Sequence, residues 1–261
     1  ALSQENAQPL SGKTIGIVGV GNIGSCLADK LKALNVNVLL CDPLKHEQGL
    51  LKEHIGLDEL LAKSDVVTLH VPLIKTGNHK TLHLIDQTRL KALKPGLILI
   101  NACRGEVIDN RALLKVMEQG ADLDLVLDVW ENEPDILTPL LDHVRYASVH
   151  IAGHTLEGKA RGTQMLYQAL CELKNVKGVK SLDDFLPEPV ITQATLQPSF
   201  EDEDIARLVH LIYDVRRDDG ILLRHLAKDG FDSLRKNYPV RREFSTLEVQ
   251  AAPDLMAKLN Q

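Results

Sequence analysis

Three short stretches carry side chains that could do chemistry together. In SVHIAGHT, His150 and His154 stand four positions apart; in LDVWENEP, Asp128 and Glu133 offer carboxylates; in NACRGEVID, Arg104 offers a guanidinium. An imidazole beside a carboxylate can move a proton, and a planar guanidinium suits a carboxylate ligand. Each residue also has an ordinary reading. Arg104 could pair with Glu106 or Asp109, Glu133 could only shape the turn before Pro134, and His150 could be a satisfied core histidine. The two histidines could form a metal pair, but that would want both rings on one helix face and further ligands. Gly153 argues against a helix there, so no metal is expected.

A fourth stretch points to an anion. Gly19, Gly21 and Gly24, with Asn22 and Ile23 between them, form a GxGxxG. It follows a strand pattern and opens a helix pattern, and Asp42 ends the next strand. In that context the first glycine permits a tight turn, the second lets backbone approach a pyrophosphate, and the third lets helix and strand pack. Asp42 would accept from the adenosine ribose hydroxyls and repel a 2′-phosphate, which favours NAD over NADP; Lys45 and His46 soften that preference.

The elements that must position these groups alternate along the chain. KTIGIVG, NVNVLLCD, DVVTLHVPL, LILINAC and DLVLDVW read as strands, and YASVHI as a short sixth with His150 at its end. Between them lie helical patterns. One is the stripe Ile23, Leu27, Leu31 and Leu34; others are LDELLAKS, LIDQTRLKAL and NRALLKVMEQG, the last closed by Gly120. Strands alternating with helices predict an α/β fold, a Rossmann-type doubly wound parallel sheet. Ligands of such sheets sit beyond the carboxyl ends of the strands, where Arg104, Asp128, Glu133 and His150 fall.

From Thr155 a long helix is expected, then a connector in VKGVKSLDDFLPEP. Beyond it Ser199 with Asp202 resembles a capping box. Ile205, Leu208, Val209, Ile212 and Val215 share one helical face, ILLRHLAKDG reads as a second helix, and FSTLEVQ as a strand. The division is therefore residues 1–172, a dinucleotide domain; 173–186, a linker; and 187–261, a smaller α+β module.

Composition excludes several classes. The net charge of −6 comes without a basic run, and aromatics are only 3%, so neither nucleic acid nor an anionic membrane is an expected partner. No apolar run reaches the roughly 18 residues a membrane span needs. Cys26, Cys41, Cys103 and Cys171 are scattered, which fits a reducing cytoplasm rather than a disulfide framework. The start, ALSQENAQPLSGK, lacks a secretory pattern, and opening on Ala1 suits a fragment or a processed chain.

The motifs GVGNIG, DVVTLHVPL, LKPGLILINACRGEVID, LDVWENEP and HIAGHT, in this order, resemble the D-isomer-specific 2-hydroxyacid dehydrogenases over residues 11–165. That resemblance implies roles. Arg104 would bind the substrate carboxylate, Glu133 would support His150, and His150 would take the C2 hydroxyl proton. Asp128 would contact the nicotinamide side of NAD, with Val71, Ala102, Cys103 and Gly153 also beside the cofactor. His154 would touch substrate, at a position where the most similar branch usually has tyrosine; Val71 stands where that branch often has a hydroxyl residue. HIAGHTLEGKARGT and IYDVRRDDG resemble the branch that oxidises 4-phospho-D-erythronate in pyridoxal-phosphate biosynthesis. A small phosphorylated 2-hydroxy acid and a homodimer through the C-terminal module are then implied. The phosphate contacts are open, the cations of 216–242 being candidates by charge alone. A substrate-domain segment ahead of the dinucleotide domain is also implied; without it the chain is expected to bind NAD and dimerise but to turn over poorly. Two readings compete: a phosphoglycerate- or hydroxypyruvate-type dehydrogenase, and a non-catalytic NAD-binding regulator.

Overall fold

The computed structural model of the protein describes residue 10, residues 12–201 and residues 204–253. The chain divides into two compact units, Ala1–Ala152 with Val215–Asn237, and Gly153–Asp214 with Tyr238–Gln261.

The first unit is built on a six-stranded sheet of β1 (Thr14–Val18), β2 (Asn37–Cys41), β3 (Val66–Leu69), β4 (Leu97–Asn101), β5 (Leu123–Leu127) and β6 (Tyr146–Ala147). Its order is β2-β1-β3-β4-β5-β6 and every pairing is parallel. Such a sheet buries both faces, so its strands are continuously apolar. Ile17, Val67, Leu69, Leu97, Leu99 and Leu125 are fully buried. Each such side chain withdrawn from water contributes about 1.5–3 kcal/mol. The strands reverse their direction of progress between β1 and β3, and that switch opens a crevice at their carboxyl ends.

Helices α1 (Asn22–Ala33), α2 (Pro43–Glu47), α3 (Leu57–Lys63), α4 (Gln87–Ala92) and α5 (Asn110–Glu118) connect the strands. Asp42, Asp86 and Asp109 cap α2, α4 and α5 through their carboxylates. The expected stripe on α1 is corrected: Ile23 is 68% exposed and Leu34 46%, while Gly24, Ala28 and Leu31 are buried. Gly24 must lie against the Gly19 carbonyl, and that contact sets which face turns inward. Helix α2 had no signal in the sequence pattern.

His150 does not end a strand. β6 stops at Ala147, and His150 lies past it with φ 57°. The Ile151 and Ala152 N–H groups, which would extend a ladder, donate instead to Asp128.

The first unit also takes in residues that the sequence pattern groups with 187–261. Helix α8 (Val215–Asp229) packs on β6, and α9 (Phe231–Lys236) packs on α8. Leu222 and Phe231 are buried there.

The second unit holds α6 (Leu156–Leu173), α7 (Ile205–Ile212) and a parallel pair, β7 (Gln193–Thr195) with β8 (Glu248–Gln250). Thr155 caps α6 through Gly158 N–H, and Glu157 in its first turn takes the Arg242 guanidinium and the Glu243 N–H. The single helical face expected over 205–215 is broken: α7 ends at Ile212, Tyr213 is extended, and Val215 opens α8. The second helix therefore starts earlier than ILLRHLAKDG suggests. The Ser199–Asp202 capping box falls on a residue outside those described.

Candidate active site

The strand register draws one line across the sheet. Cys41, Val18, Leu69, Asn101, Leu127 and Ala147 are successive partners. The next residue of each strand is Asp42, Gly19, His70, Ala102, Asp128 or Ser148. Strand spacing makes this row about 24 Å long, with Asp42 at one end and the loop of His150 at the other. The sequence-derived residues Gly19, Gly21, Asn22, Ile23, Gly24, Asp42, Val71, Ala102, Cys103, Arg104, Asp128, Glu133 and His150 all follow carboxyl ends of this sheet.

At the first end, Gly19 has φ +91°, and a Cβ there would lie 2.5 Å from the His70 carbonyl oxygen and 2.9 Å from Val71 Cγ1. A Cβ on Gly24 would lie 2.0 Å from the Gly19 oxygen, whereas one on Gly21 would meet nothing within 4 Å. The turn is thus closed on its protein side and open at Gly21, where a pyrophosphate needs room. Asp42 Oδ2 accepts from Val20 N–H at 2.9 Å and Oδ1 from Lys45 N–H at 3.1 Å. That fixes the carboxylate beside the turn. These features fit a dinucleotide. Burial of the thiol, with Asp42 next, pushes Cys41 up to about 11, so it stays protonated. All four cysteines are free.

At the other end, His150 Nδ1 lies 2.7 Å from Glu133 Oε2. A carboxylate only accepts, so Nδ1 carries the proton and Nε2 is left to act as a base. Glu133 is itself fixed, its Oε1 accepting from Trp130 N–H at 2.9 Å. The Trp130 indole donates to Ser148 O at 2.9 Å, tying the two loops together. Asp128 is 7% exposed. It accepts from Ser148 Oγ at 2.6 Å, Ile151 N–H at 2.8 Å and Ala152 N–H at 2.8 Å, while its carbonyl accepts from His150 N–H at 2.7 Å. A left-handed conformation costs a non-glycine residue of order 1 kcal/mol. The bonds to Asp128 hold His150 in it.

Support also comes from far along the chain. Arg235 Nε donates to His150 O at 3.1 Å, and Asp219 accepts from Ala147 N–H at 2.8 Å. Burial raises the Asp219 carboxyl, and the Ala147 bond opposes that rise. The sequence marks Arg235 only as one of the cations of 216–242 and Asp219 only within IYDVRRDDG; neither contact is visible there, because both are purely tertiary.

Arg104 follows β4 on an exposed loop, with Nη1 donating to Cys103 O at 2.6 Å and no carboxylate of the described residues paired with it. Its loop touches that of Glu133: a Cβ on Gly105 would sit 1.9 Å from the Trp130 carbonyl carbon. Gly105 was missed in the sequence, although its place beside Arg104 was a usable signal. His83, Asp109 and Glu131 bring ligand-type atoms within 4.8 Å of one another. His83 Nε2 is 2.6 Å from Glu131 and Nδ1 3.8 Å from Asp109. Opposite ring nitrogens facing different carboxylates form a bridge between loops.

Gly153 and His154 belong to the second unit. Gly153 has φ +78°, and the His154 ring meets Tyr238 edge-on at 6.3 Å. Of the cations of 216–242, Arg242 is committed to Glu157 and Pro187 O, and Arg241 lies over the Tyr213 ring at 4.4 Å.

Residues 2–155 match the family described as D-isomer specific 2-hydroxyacid dehydrogenase, NAD binding domain. Residues 185–261 match a domain of unknown function, DUF3410. The chain is 76% identical over 261 residues to the erythronate-4-phosphate dehydrogenase of Pseudoalteromonas translucida (strain TAC 125), covering all of this chain and 70% of that protein. It is 49% identical over 249 residues to the enzyme of the same name from Enterobacter sp. (strain 638), covering 95% of this chain and 66% of that protein. The chain thus spans about two thirds of the length of these curated relatives. The crystal structure of D-lactate dehydrogenase from Aquifex aeolicus, complexed with NAD and lactic acid, is 32% identical, with a TM-score of 0.53 over 64% of this chain and 55% of that one.

Proposed function

The chain belongs to the D-isomer-specific 2-hydroxyacid dehydrogenases and carries their NAD-binding domain, and from this premise we propose that the whole protein oxidises 4-phospho-D-erythronate at C2. The observation that carries the reading is the 2.7 Å pairing of His150 Nδ1 with Glu133, which frees Nε2 as a base. The two relatives above, both named erythronate-4-phosphate dehydrogenase, support the choice of substrate.

NAD, when bound, would supply an acceptor for the hydride leaving substrate C2. Gly19, Gly21, Asn22, Ile23 and Gly24 would cradle its pyrophosphate, Asp42 its adenosine ribose, and Val71, Ala102, Cys103 and Asp128 the remainder. His150 Nε2 takes the C2 hydroxyl proton, so the alcohol becomes a ketone. The Glu133 charge stabilises the imidazolium that forms. Arg104 holds the substrate carboxylate in a two-pronged contact and polarises the C2 oxygen. We assign residues 1–172 to the dinucleotide domain, 173–186 to a linker and 187–261, of which 215–237 fold into the first unit, to a module that forms a homodimer, in the cytoplasm. Among the described residues no helix is long and apolar enough to cross a membrane.

A substrate panel tests the reading. The whole protein is expected to reduce NAD with 4-phospho-D-erythronate and to do so far more slowly with 3-phosphoglycerate or glycerate. Preference for either of those would overturn the substrate, and no NADH from any 2-hydroxy acid would overturn the enzyme.

A further inference from the structure

The Asp42 end of the row is held from behind by a histidine that the cofactor reading leaves unused. Asp42 N–H donates to Nδ1 of His54 at 3.1 Å. The His54 backbone forms a parallel bridge with Leu40 of β2, and Ile55 N–H donates to Leu40 O at 3.0 Å. The His54 ring stacks on that of His46 in α2, with centroids 4.7 Å apart and planes inclined by 27°. His46 Nδ1 lies 3.1 Å from Leu51 O.

These contacts fix both tautomers. A carbonyl only accepts, so His46 carries its proton on Nδ1. A backbone N–H only donates, so His54 Nδ1 must be bare. Asp42 is then tied at four points: its N–H to His54, its carbonyl to His46 N–H, Oδ1 to Lys45 N–H and Oδ2 to Val20 N–H. Protonating His54 at Nδ1 would set two N–H groups against each other and place a cation on the face of a second imidazole.

We propose that His54 is a positioning residue for the cofactor: its neutral ring holds the Asp42 backbone so that the carboxylate meets the adenosine ribose, and protonation releases that hold and weakens NAD binding. The role rests on Asp42 being the ribose contact.

The groups acting on the ring are few. Burial and the neighbouring His46 push His54 below the ordinary imidazole value, and Asp42 opposes them. Lys45 meets Asp42 through its backbone, and Glu53, next in the chain, pairs with Lys32 of α1 at 3.3 Å. The ring is therefore neutral near pH 7, and weakening sets in only as the pH falls toward its depressed value, beneath the ordinary 6.5.

Calorimetric titration of this chain with ADP-ribose tests the role. That probe has the adenosine ribose and pyrophosphate but no nicotinamide, so it leaves the His150 end out of the measurement. From about pH 7.5 to 5.5 the Kd is expected to rise, by up to roughly five-fold, the scale of one lost hydrogen bond. His54→Asn keeps an acceptor that does not titrate, so its Kd should match the parent at the higher pH and stay flat. His54→Leu should weaken binding by a similar factor at both pH values. A parent Kd that is flat with pH, or a slope that persists in His54→Asn, would overturn the proposal even if His54→Leu failed to fold. Asp42→Ala separates the two levels. Unchanged ADP-ribose affinity in that variant defeats the ribose reading of Asp42; a large loss there with silent His54 variants defeats the role of His54 alone.

Discussion

The two ends of the carboxyl row are built by different means. At the Asp42 end the shape comes from backbone: a tight turn at Gly19, a helix start pressed on it at Gly24, and open space at Gly21. At the His150 end it comes from side-chain hydrogen bonds converging on one loop from Asp128, Trp130, Glu133 and Arg235. The first design tolerates no added atom at Gly19 or Gly24. The second loses function by degrees as individual bonds are removed.

That contrast can be broken from the glycine side first, where the largest effect is expected. Gly24→Ala would put a methyl 2.0 Å from a backbone oxygen. The turn must open, and NAD affinity is expected to fall by roughly 100-fold or more, about the 3 kcal/mol that overpacking at a rigid backbone costs. Titration with NAD reads this directly, and near-parental affinity would mean the turn is softer than its geometry.

Asp128→Ala should come next. It removes the acceptor for one hydroxyl and two N–H groups, so a loss of about 3 kcal/mol in stability is expected from charged hydrogen bonds left unmade. Turnover should fall with it, because the left-handed turn of His150 loses its frame. Denaturant unfolding alongside the rate separates the two losses.

Arg235→Met sharpens the comparison on a smaller scale. One bond to the His150 carbonyl is lost, and the expected drop in kcat is about three- to ten-fold. NAD affinity should not change, since the Asp42 end is untouched. An affinity loss larger than the rate loss would place Arg235 in cofactor binding instead.

These effects also explain what could be read from sequence. GVGNIG with Asp42 needs only local backbone chemistry, so the turn, the helix start and the carboxylate were legible together. The alternating apolar runs likewise announced the parallel sheet. Arg104, Glu133 and His150 were visible as residue types following strand patterns. The left-handed turn of His150 was not, because it depends on Asp128 accepting from residues 23 and 24 positions away. Arg235 and Asp219 lie 85 and 72 positions from the residues they hold. Nothing in residues 215–237 announced that α8 would pack on β6; the apolar pattern read equally well as the core of a separate module. Ile23 misled because it sits one position from the glycine that faces the sheet.

The smallest expected effect concerns pH. Burial holds His70, beyond β3, below the ordinary imidazole value. Its folded form therefore binds fewer protons than the unfolded chain once the pH drops under 6.5. The stability it contributes is complete above that value and is lost as the pH falls toward the folded value. His54 acts with the same sign. Tm is expected to decline by a few degrees from about pH 7.5 to 5.5 and to decline less in His70→Gln; an equal slope in both would remove His70 from the account.

The central claim is that His150, its Nδ1 held by Glu133, takes the C2 hydroxyl proton at Nε2, with NAD, when bound, as the hydride acceptor. Single-turnover formation of NADH from 4-phospho-D-erythronate, in the whole protein and its His150→Gln variant at saturating NAD, tests it most directly. The rate is expected to fall by roughly 10³-fold, the usual worth of a positioned general base, with NAD affinity unchanged. A variant that transfers hydride within about three-fold of the parent would contradict the claim.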